Sequence, residues 1–208
     1  MRRWKVAAAL AGLAAVAVVA AWLLVRSDFE AEAARLAPLL ALDPGDAVAD
    51  IGAGSGALAV ALGARVGPTG RVYVTELDDD KLVELQHLAR RFPQFEAFPG
   101  AVDGTNLPES CCDAIVLRKV YHHIDDRQGF ARSLFVTLRP GGRLAVIDFA
   151  PRWWLPKLEG GRLGGHGVTP EAVEAELTRA GFRLRERIAD WPQRSYCLVF
   201  ERPRGEAP

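Results

Sequence analysis

The chain of 208 residues has no surplus of either charge, with 26 lysines and arginines against 26 aspartates and glutamates. Setting aside Arg2, Arg3 and Lys5 leaves 23 basic and 26 acidic side chains. A nucleic-acid-binding domain usually carries a basic footprint, so no nucleic-acid partner is expected. Cysteine is scarce too. Cys111, Cys112 and Cys197 make no disulfide framework, and the adjacent Cys111 and Cys112 lack the spacing of a zinc site. They read as small buried hydrophobes, and no metal site is expected. Internal repeats are absent, which excludes solenoids and propellers and leaves one substantial core as the expectation for this length.

What the chain does have is a long apolar run, "VAAALAGLAAVAVVAAWLLV", Val6 to Val25, 20 residues without a charge. At 1.5 Å per residue it matches a hydrocarbon core of about 30 Å. Its strong positive flank is "MRRWK", so the positive-inside rule puts the N-terminus in the cytoplasm and the rest of the chain across the membrane. A cleaved signal peptide, releasing a secreted or periplasmic domain, is the rival. The run is longer than the usual apolar region of a signal and ends in "WLLVRS" without a small-x-small site. An ordinary buried helix is the third option. The expected division is an anchor over 1–26, a globular domain over 27–203 and a polar tail over 204–208.

Beyond the run, "SDFEAEAARLAPLLAL" suits a short amphipathic helix with leucines at 36, 39, 40 and 42, broken by "DPGD". "AVADI" reads as a buried strand. Glycines then lead into the helix "ALAVALGARVG". "RVYVTEL" is a second strand, and "DDDKLVELQHLARRF" a capped helix with apolar positions at 82, 85 and 88. "QFEAF" and "CDAIVL" supply strands three and four. The helix "DDRQGFARSLFVTL" stops at "RPGG", and "RLAVIDF" is strand five. "APRWWLPKLEGGRLGGHGV" reads as a long loop, and Thr169 caps a helix that opens on Pro170. "RLRERIA" and "SYCLVFER" close the chain as strands joined through "DWPQ". Strands alternating with helices imply a parallel α/β sheet.

The first strand-to-helix turn, "VADIGAGSG", lies where such a sheet binds its ligand. Gly52, Gly54 and Gly56 let the backbone approach a ligand and, with Ser55, expose amides at a helix N-terminus. Gly52, Gly54 and Ala57 also satisfy the dinucleotide pattern G-x-G-x-x-A, with Glu76 at the distance of a ribose acid, so an NAD(P)-binding oxidoreductase is one reading. Three acids separate the readings. Asp50 would repel a pyrophosphate but attract an amino or sulfonium group. Glu76 can accept from two ribose hydroxyls. Asp103, in "GAVDGTNLP", can accept from an exocyclic amine such as that of adenine.

In the order and spacing of "VADIGAGSG", "VYVTELD", "VDGTNLP", "CCDAIVLRKVYHHIDD" and "TLRPGGRLAVIDF", the chain resembles the class I S-adenosylmethionine-dependent methyltransferases from Leu36 to Arg202. The nearest flavour is the small-molecule branch that includes ubiquinone and menaquinone C-methyltransferases. The resemblance implies a Rossmann-like seven-stranded sheet with helices on both faces and an antiparallel last strand, here preceded by one transmembrane helix. It implies S-adenosylmethionine as cofactor, with Gly52, Gly54 and Gly56 around the methionine part, Glu76 on the ribose, Leu77 on one adenine face, and Asp103 with Gly104 at the adenine edge. A sulfonium methyl is already activated, so alignment and exclusion of water dominate, and a base is not required. If one acts, His122, His123 and His166 are the candidates, although the His pair also suits a packed helix-entry position. Trp153 and Trp154 could line an apolar substrate pocket or meet a bilayer beside the anchor. A membrane-tethered methyltransferase acting on a small or apolar substrate by in-line methyl transfer is the leading expectation. A non-catalytic methyltransferase-like binding module is a further alternative.

Overall fold

The five residues Ala47–Ile51 are all buried and form β1, an interior strand of the sheet. A computed structural model describes residues 28–151 and 167–205, and the following elements lie within them. A helix over 28–39 (α1) precedes β1. Then come α2 (Ala57–Val66), β2 (Arg71–Glu76), α3 (Asp79–Arg91), β3 (Phe95–Pro99), β4 (Cys112–Arg118) and α4 (Arg127–Thr137). The chain continues through β5 (Leu138–Asp148), α5 (Pro170–Arg179), β6 (Arg183–Trp191) and β7 (Ser195–Glu201). Short 3-10 turns at Tyr121–His123 and Pro192–Arg194 follow β4 and β6.

The strands form one sheet in the order β3-β2-β1-β4-β5-β7-β6. All neighbours from β3 to β5 pair in parallel, while β7 runs antiparallel between β5 and β6. This bears out the expected seven-stranded architecture and its antiparallel last strand. Alternation along β1 explains the layers. Ala47, Ala49 and Ile51 face a core shared with Phe130, Leu134, Val173 and Leu177 of α4 and α5. Val48 faces the opposite core with Ala33, Leu36, Leu58, Leu62 and Leu85 of α1, α2 and α3. Helices therefore cover both faces, as a mostly parallel sheet requires.

Local chemistry sets the helix starts. Asp78 accepts from the Lys81 amide at 3.1 Å, Asp126 from Gly129 at 2.9 Å, and Thr169 from Ala172 at 3.3 Å, with Pro170 at the first position of α5. One boundary differs from expectation. β5 begins at Leu138, within the segment read as the end of the preceding helix, because Leu138 pairs with Cys112 before a register shift brings Arg143 opposite Ala114. A bulge of that kind carries "RPGG" along the strand instead of ending it.

No helix among the described residues is long and apolar enough to cross a membrane. The run Val6–Val25, the anchor assigned to 1–26, Trp153, Trp154, His166 and most of the loop that holds them lie outside the described residues.

Candidate functional site

From β1 the chain steps outward to β2 and β3, then returns to place β4 on the other side of β1. This reversal of strand order opens a crevice at the carboxyl ends of the strands. A cavity of about 350 Å³ occupies it. Its walls come from Gly52 and Gly54 after β1, Glu76 and Leu77 at β2, Gly100 and Val102 after β3, and Arg118 to Val120 after β4.

The glycine turn is held by its neighbours. Gly52 has φ +70°, and a Cβ there would lie 2.6 Å from Val120 Cγ2, so both the turn and the packing demand glycine. Gly54 has φ +56°, and a Cβ there would meet nothing within 4 Å, so its bare face looks into open space beside the cavity. The Ala53 amide donates to the Thr75 carbonyl at 2.9 Å and the Gly54 amide to Glu76 Oε2 at 2.8 Å, tying the turn to β2. Gly56 departs from expectation: it is buried, serves as the N-cap of α2, and lines no part of the cavity.

Glu76 is oriented before any ligand arrives. Its Oε1 accepts from the Leu77 amide at 2.9 Å and the Asp78 amide at 3.3 Å. Three of its roughly four lone-pair sites are thus taken, and Oε2 keeps one for a further donor. Leu77 is 60% and Val102 72% exposed, yet both line the cavity, which gives it two open apolar surfaces. Sequence reasoning found Leu77 and missed Val102. The loop bearing Val102 is anchored on α4, where the Thr105 amide donates to Ser133 Oγ at 2.9 Å and the Thr105 and Thr137 hydroxyls meet at 2.7 Å. Gly104 lines the cavity as expected. Asp103 stands exposed between Val102 and Gly104 and is not part of the lining, because the bend at 102–104 turns it toward solvent.

A second, smaller cavity of about 240 Å³ adjoins the first through Gly52, Gly54 and Arg118. Asp50, Ser55 and Phe29 line it. Asp50 is only 2% exposed, and burial pushes its carboxyl up to about 7, against a smaller lowering by the Arg118 guanidinium. Arg118 borders both cavities, and sequence reasoning missed it. Its Nε donates to Glu32 Oε2 at 2.7 Å, and Glu32 Oε1 accepts from Trp191 Nε1 at 2.8 Å. The guanidinium also sits 4.9 Å from the centre of the Phe29 ring. The α1 helix thus closes one side of the site. Cations at the carboxyl end of a strand were a readable signal in "LRKV"; the partnership with Glu32 had none.

The histidines separate. His123 is exposed and lines the main cavity. His122 does not line it: its side chain is 2% exposed and its Nδ1 lies 2.7 Å from Asp148 Oδ1, while its amide donates to Asp148 Oδ2 at 3.1 Å. Asp148, fully buried, fixes the ring against Phe149, 4.7 Å away, and against His123, 4.0 Å away between ring centres. His166 lies outside the described residues. Lys119 lines the cavity with φ +59° and donates from Nζ to Gln193 Oε1. Burial, reinforced by Arg118, holds its ammonium below the usual lysine range. Among the described residues, no group of three or more His, Cys, Asp or Glu is placed to hold a metal ion.

Residues 49–146 match a family model described as "Methyltransferase domain". The chain is 28% identical over 109 residues to the ubiquinone/menaquinone biosynthesis C-methyltransferase of Enterobacter sp. (strain 638), a match that covers 51% of this chain and 43% of that one. These matches support the class I S-adenosylmethionine-dependent methyltransferase family. They also indicate S-adenosylmethionine as the cofactor. The chain spans less than half the length of the relatives it matches. The fold is shared with a SAM-dependent methyltransferase from Aquifex aeolicus, at a TM-score of 0.71 and 19% identity over 82% of this chain and 89% of that one. It is shared equally with the [4+2]-cyclase SpnF, at a TM-score of 0.68 and 16% identity over 85% and 81%. A fold that carries a cyclase as well does not by itself dictate methyl transfer, so the reaction has to be argued from the site.

Proposed function

We propose that the chain binds S-adenosylmethionine in the joined cavities and transfers its methyl group in line to a small, apolar acceptor. The observation that carries this reading is the sequence of surfaces along the crevice. Buried Asp50 beside Arg118 suits the ammonium and carboxylate of a methionine end, Glu76 with one open lone pair on Oε2 suits a ribose hydroxyl, and the exposed faces of Leu77 and Val102 suit a flat base. A pyrophosphate is poorly served. The backbone amide of Gly54 is already committed to Glu76, Lys119 donates to Gln193, and the Asp50 carboxylate beside the glycine turn would repel a phosphate. That disfavours the dinucleotide alternative.

The bound group would supply an activated methyl; the protein's share is to position and to exclude water. Gly52 and Gly54 allow close approach, and α1 shields the methionine end. His123 stands at the cavity wall where an acceptor would meet the methyl, and the buried Asp148–His122 pair holds its ring from behind. His123 is therefore the candidate base or acceptor contact, with His122 a positioning residue.

The compartment stays with the N-terminal run. Read as a single-pass anchor, Val6–Val25 with its basic flank assigns the domain to the far side of the membrane, whereas a cofactor made in the cytosol assigns it to the near side. A topology reporter fused to the C-terminus separates the two.

Calorimetric titration of the full chain in detergent, with S-adenosylmethionine and with NAD as competing probes, tests the cofactor assignment. Saturable binding of the sulfonium nucleoside alone, weakened at least about tenfold by Glu76→Ala, is expected from the loss of charge-assisted hydrogen bonds. Tighter binding of NAD, or folded protein giving no saturable heat with S-adenosylmethionine, overturns it. Binding without S-adenosylhomocysteine release on quinone or phenol acceptors would favour the non-catalytic module.

A further inference from the structure

Cys112 is buried in the core as a small hydrophobe, but its neighbour Cys111 does not fit that description. Cys112 is fully buried at the start of β4, but Cys111 is only partly buried, and their sulfurs stand 2.9 Å apart. Both are free thiols. They lie at the amino end of β4, whereas the cavity lies at its carboxyl end, so neither the cofactor nor the acceptor reading uses them.

The turn that presents them is fastened on three sides. Arg139 donates from Nε to the Ser110 carbonyl at 3.1 Å and from a terminal nitrogen to Asp113 Oδ2 at 2.5 Å. The same Asp113 oxygen accepts from the Ala47 amide at 2.8 Å, and the Ser110 amide donates to the Val136 carbonyl at 2.8 Å. A guanidinium is thereby fixed to the two residues that flank the thiol pair, where its charge reaches both sulfurs. A cationic neighbour and partial exposure are what make a cysteine nucleophilic, while a buried partner in contact supplies the second sulfur. The hydrogen bond from Cys112, helped by Arg139, pulls the Cys111 thiol below its usual range; the same contact and burial push Cys112 up.

We propose that Cys111 and Cys112 form a two-thiol oxidation site, in which the partly buried Cys111 reacts with a small hydroperoxide and the fully buried Cys112 closes a disulfide between adjacent residues. In the first step the Cys111 thiolate attacks a peroxide oxygen. An S–O bond forms, the O–O bond breaks, and hydroxide leaves and takes up a proton. In the second, the Cys112 sulfur attacks the Cys111 sulfenic acid. An S–S bond forms, the S–O bond breaks, and water leaves with the Cys112 proton. The two sulfurs together lose two electrons, and one hydrogen peroxide becomes two waters.

Adjacency determines how such a bond behaves. Neighbouring Cα atoms across a trans peptide are about 3.8 Å apart, below the separation that unstrained disulfides adopt. A disulfide forced into that span is strained and easily reduced, which suits a reversible mark more than a structural staple. Cys197 cannot substitute as partner, because it lies on β7 in the core on the opposite face of the sheet from Cys112.

The test is a peptide map of the full-length protein after brief hydrogen peroxide, with free thiols then blocked by N-ethylmaleimide under denaturing conditions. The expected product has lost two hydrogens on the peptide containing both residues, takes up blocker only at Cys197, and regains both thiols after dithiothreitol. Cys111→Ser should remain unoxidised at Cys112, and Cys112→Ser should trap Cys111 as a sulfenic acid that labels with dimedone. Sulfinic or sulfonic acid at Cys111 with Cys112 still reduced, a disulfide to Cys197, or an unchanged pair overturns the proposal on wild-type protein alone, even if a variant fails to fold. Because the readout is a mass and not activity, it stands or falls separately from the cofactor assignment.

Discussion

Glu32 on α1 and Arg118 at the end of β4, 86 residues apart in sequence, form a 2.7 Å ion pair at the border of the two cavities. Side-chain exposure is 18% for Arg118 and 8% for Glu32, so neither charge is well solvated. Removing one partner strands the other, and Trp191 Nε1 loses its acceptor as well. Glu32→Ala is therefore expected to lower stability by about 2–3 kcal/mol, less than a fully buried pair because Arg118 keeps some water and its contact with Gln193. Urea unfolding measures it. Hydrogen exchange should quicken across 28–39, and the double variant with Arg118→Ala should cost less than the sum of the singles. A loss below about 0.5 kcal/mol would mean that α1 is held by its apolar face alone.

Asp50 predicts opposite pH dependences for folding and for binding. Its carboxyl rises from 3.8 to about 7 on folding because burial disfavours the anion. Between those values the folded state keeps a proton that the unfolded state has released. The stability it contributes is thus fully present below pH 3.8 and lost as pH rises through about 7. A cationic ligand favours the anion instead, so affinity for S-adenosylmethionine should rise toward pH 7, by up to about tenfold per unit, and then level off. Asp50→Asn should flatten both curves. Calorimetry at pH 6 and pH 8 checks the ligand arm, and an affinity that falls with rising pH contradicts an ammonium or sulfonium beside Asp50.

Two glycines of one turn should fail for different reasons. Gly54→Ala adds a methyl into open space at a positive φ, which costs stability about 1 kcal/mol but intrudes on the ligand's approach. Gly52→Ala must also displace Val120 Cγ2, and should be the more destabilising of the two. Adding Val120→Ala should recover part of the loss at 52 and none at 54. Thermal melts with and without S-adenosylmethionine separate the cases. Equal destabilisation of both single variants would show that packing at Val120 contributes little.

Much of this fold was readable because the signals were local. Buried runs at 47–51 and 112–118 marked central strands, Asp78 and Thr169 marked helix starts, and the acid at the end of β2 was a candidate that the structure places on the cavity wall. What escaped notice was set by packing between distant segments. The seat of Glu32 on Arg118 joins elements on opposite sides of the chain's order, and the retreat of His122 onto Asp148 depends on the end of β5. Asp103 and Gly56 were placed by motif spacing, which specifies order along the chain but not the bend that turns Asp103 outward or the cap that buries Gly56. The register shift ahead of Ala114 likewise leaves no trace in hydrophobic periodicity.

Leu77 and Val102 offer the cleanest test of what occupies the main cavity. Large apolar side chains exposed by 60% and 72% contribute little to the folded core, so truncating them should leave the melting temperature nearly unchanged. If a planar base lies between them, each face buries apolar surface worth about 1 kcal/mol, and each change to alanine should weaken binding roughly fivefold. The loss should follow the base and not the charge. S-adenosylmethionine and S-adenosylhomocysteine should weaken alike in Leu77→Ala and Val102→Ala, because both carry the same base, and Asp50→Asn should also weaken both, because both keep the α-ammonium that faces Asp50. Calorimetry of the two ligands against the three variants gives six affinities. A base bound elsewhere would leave the alanine variants at wild-type affinity, and a loss confined to the sulfonium compound would place the charged end, not the base, against Leu77 and Val102.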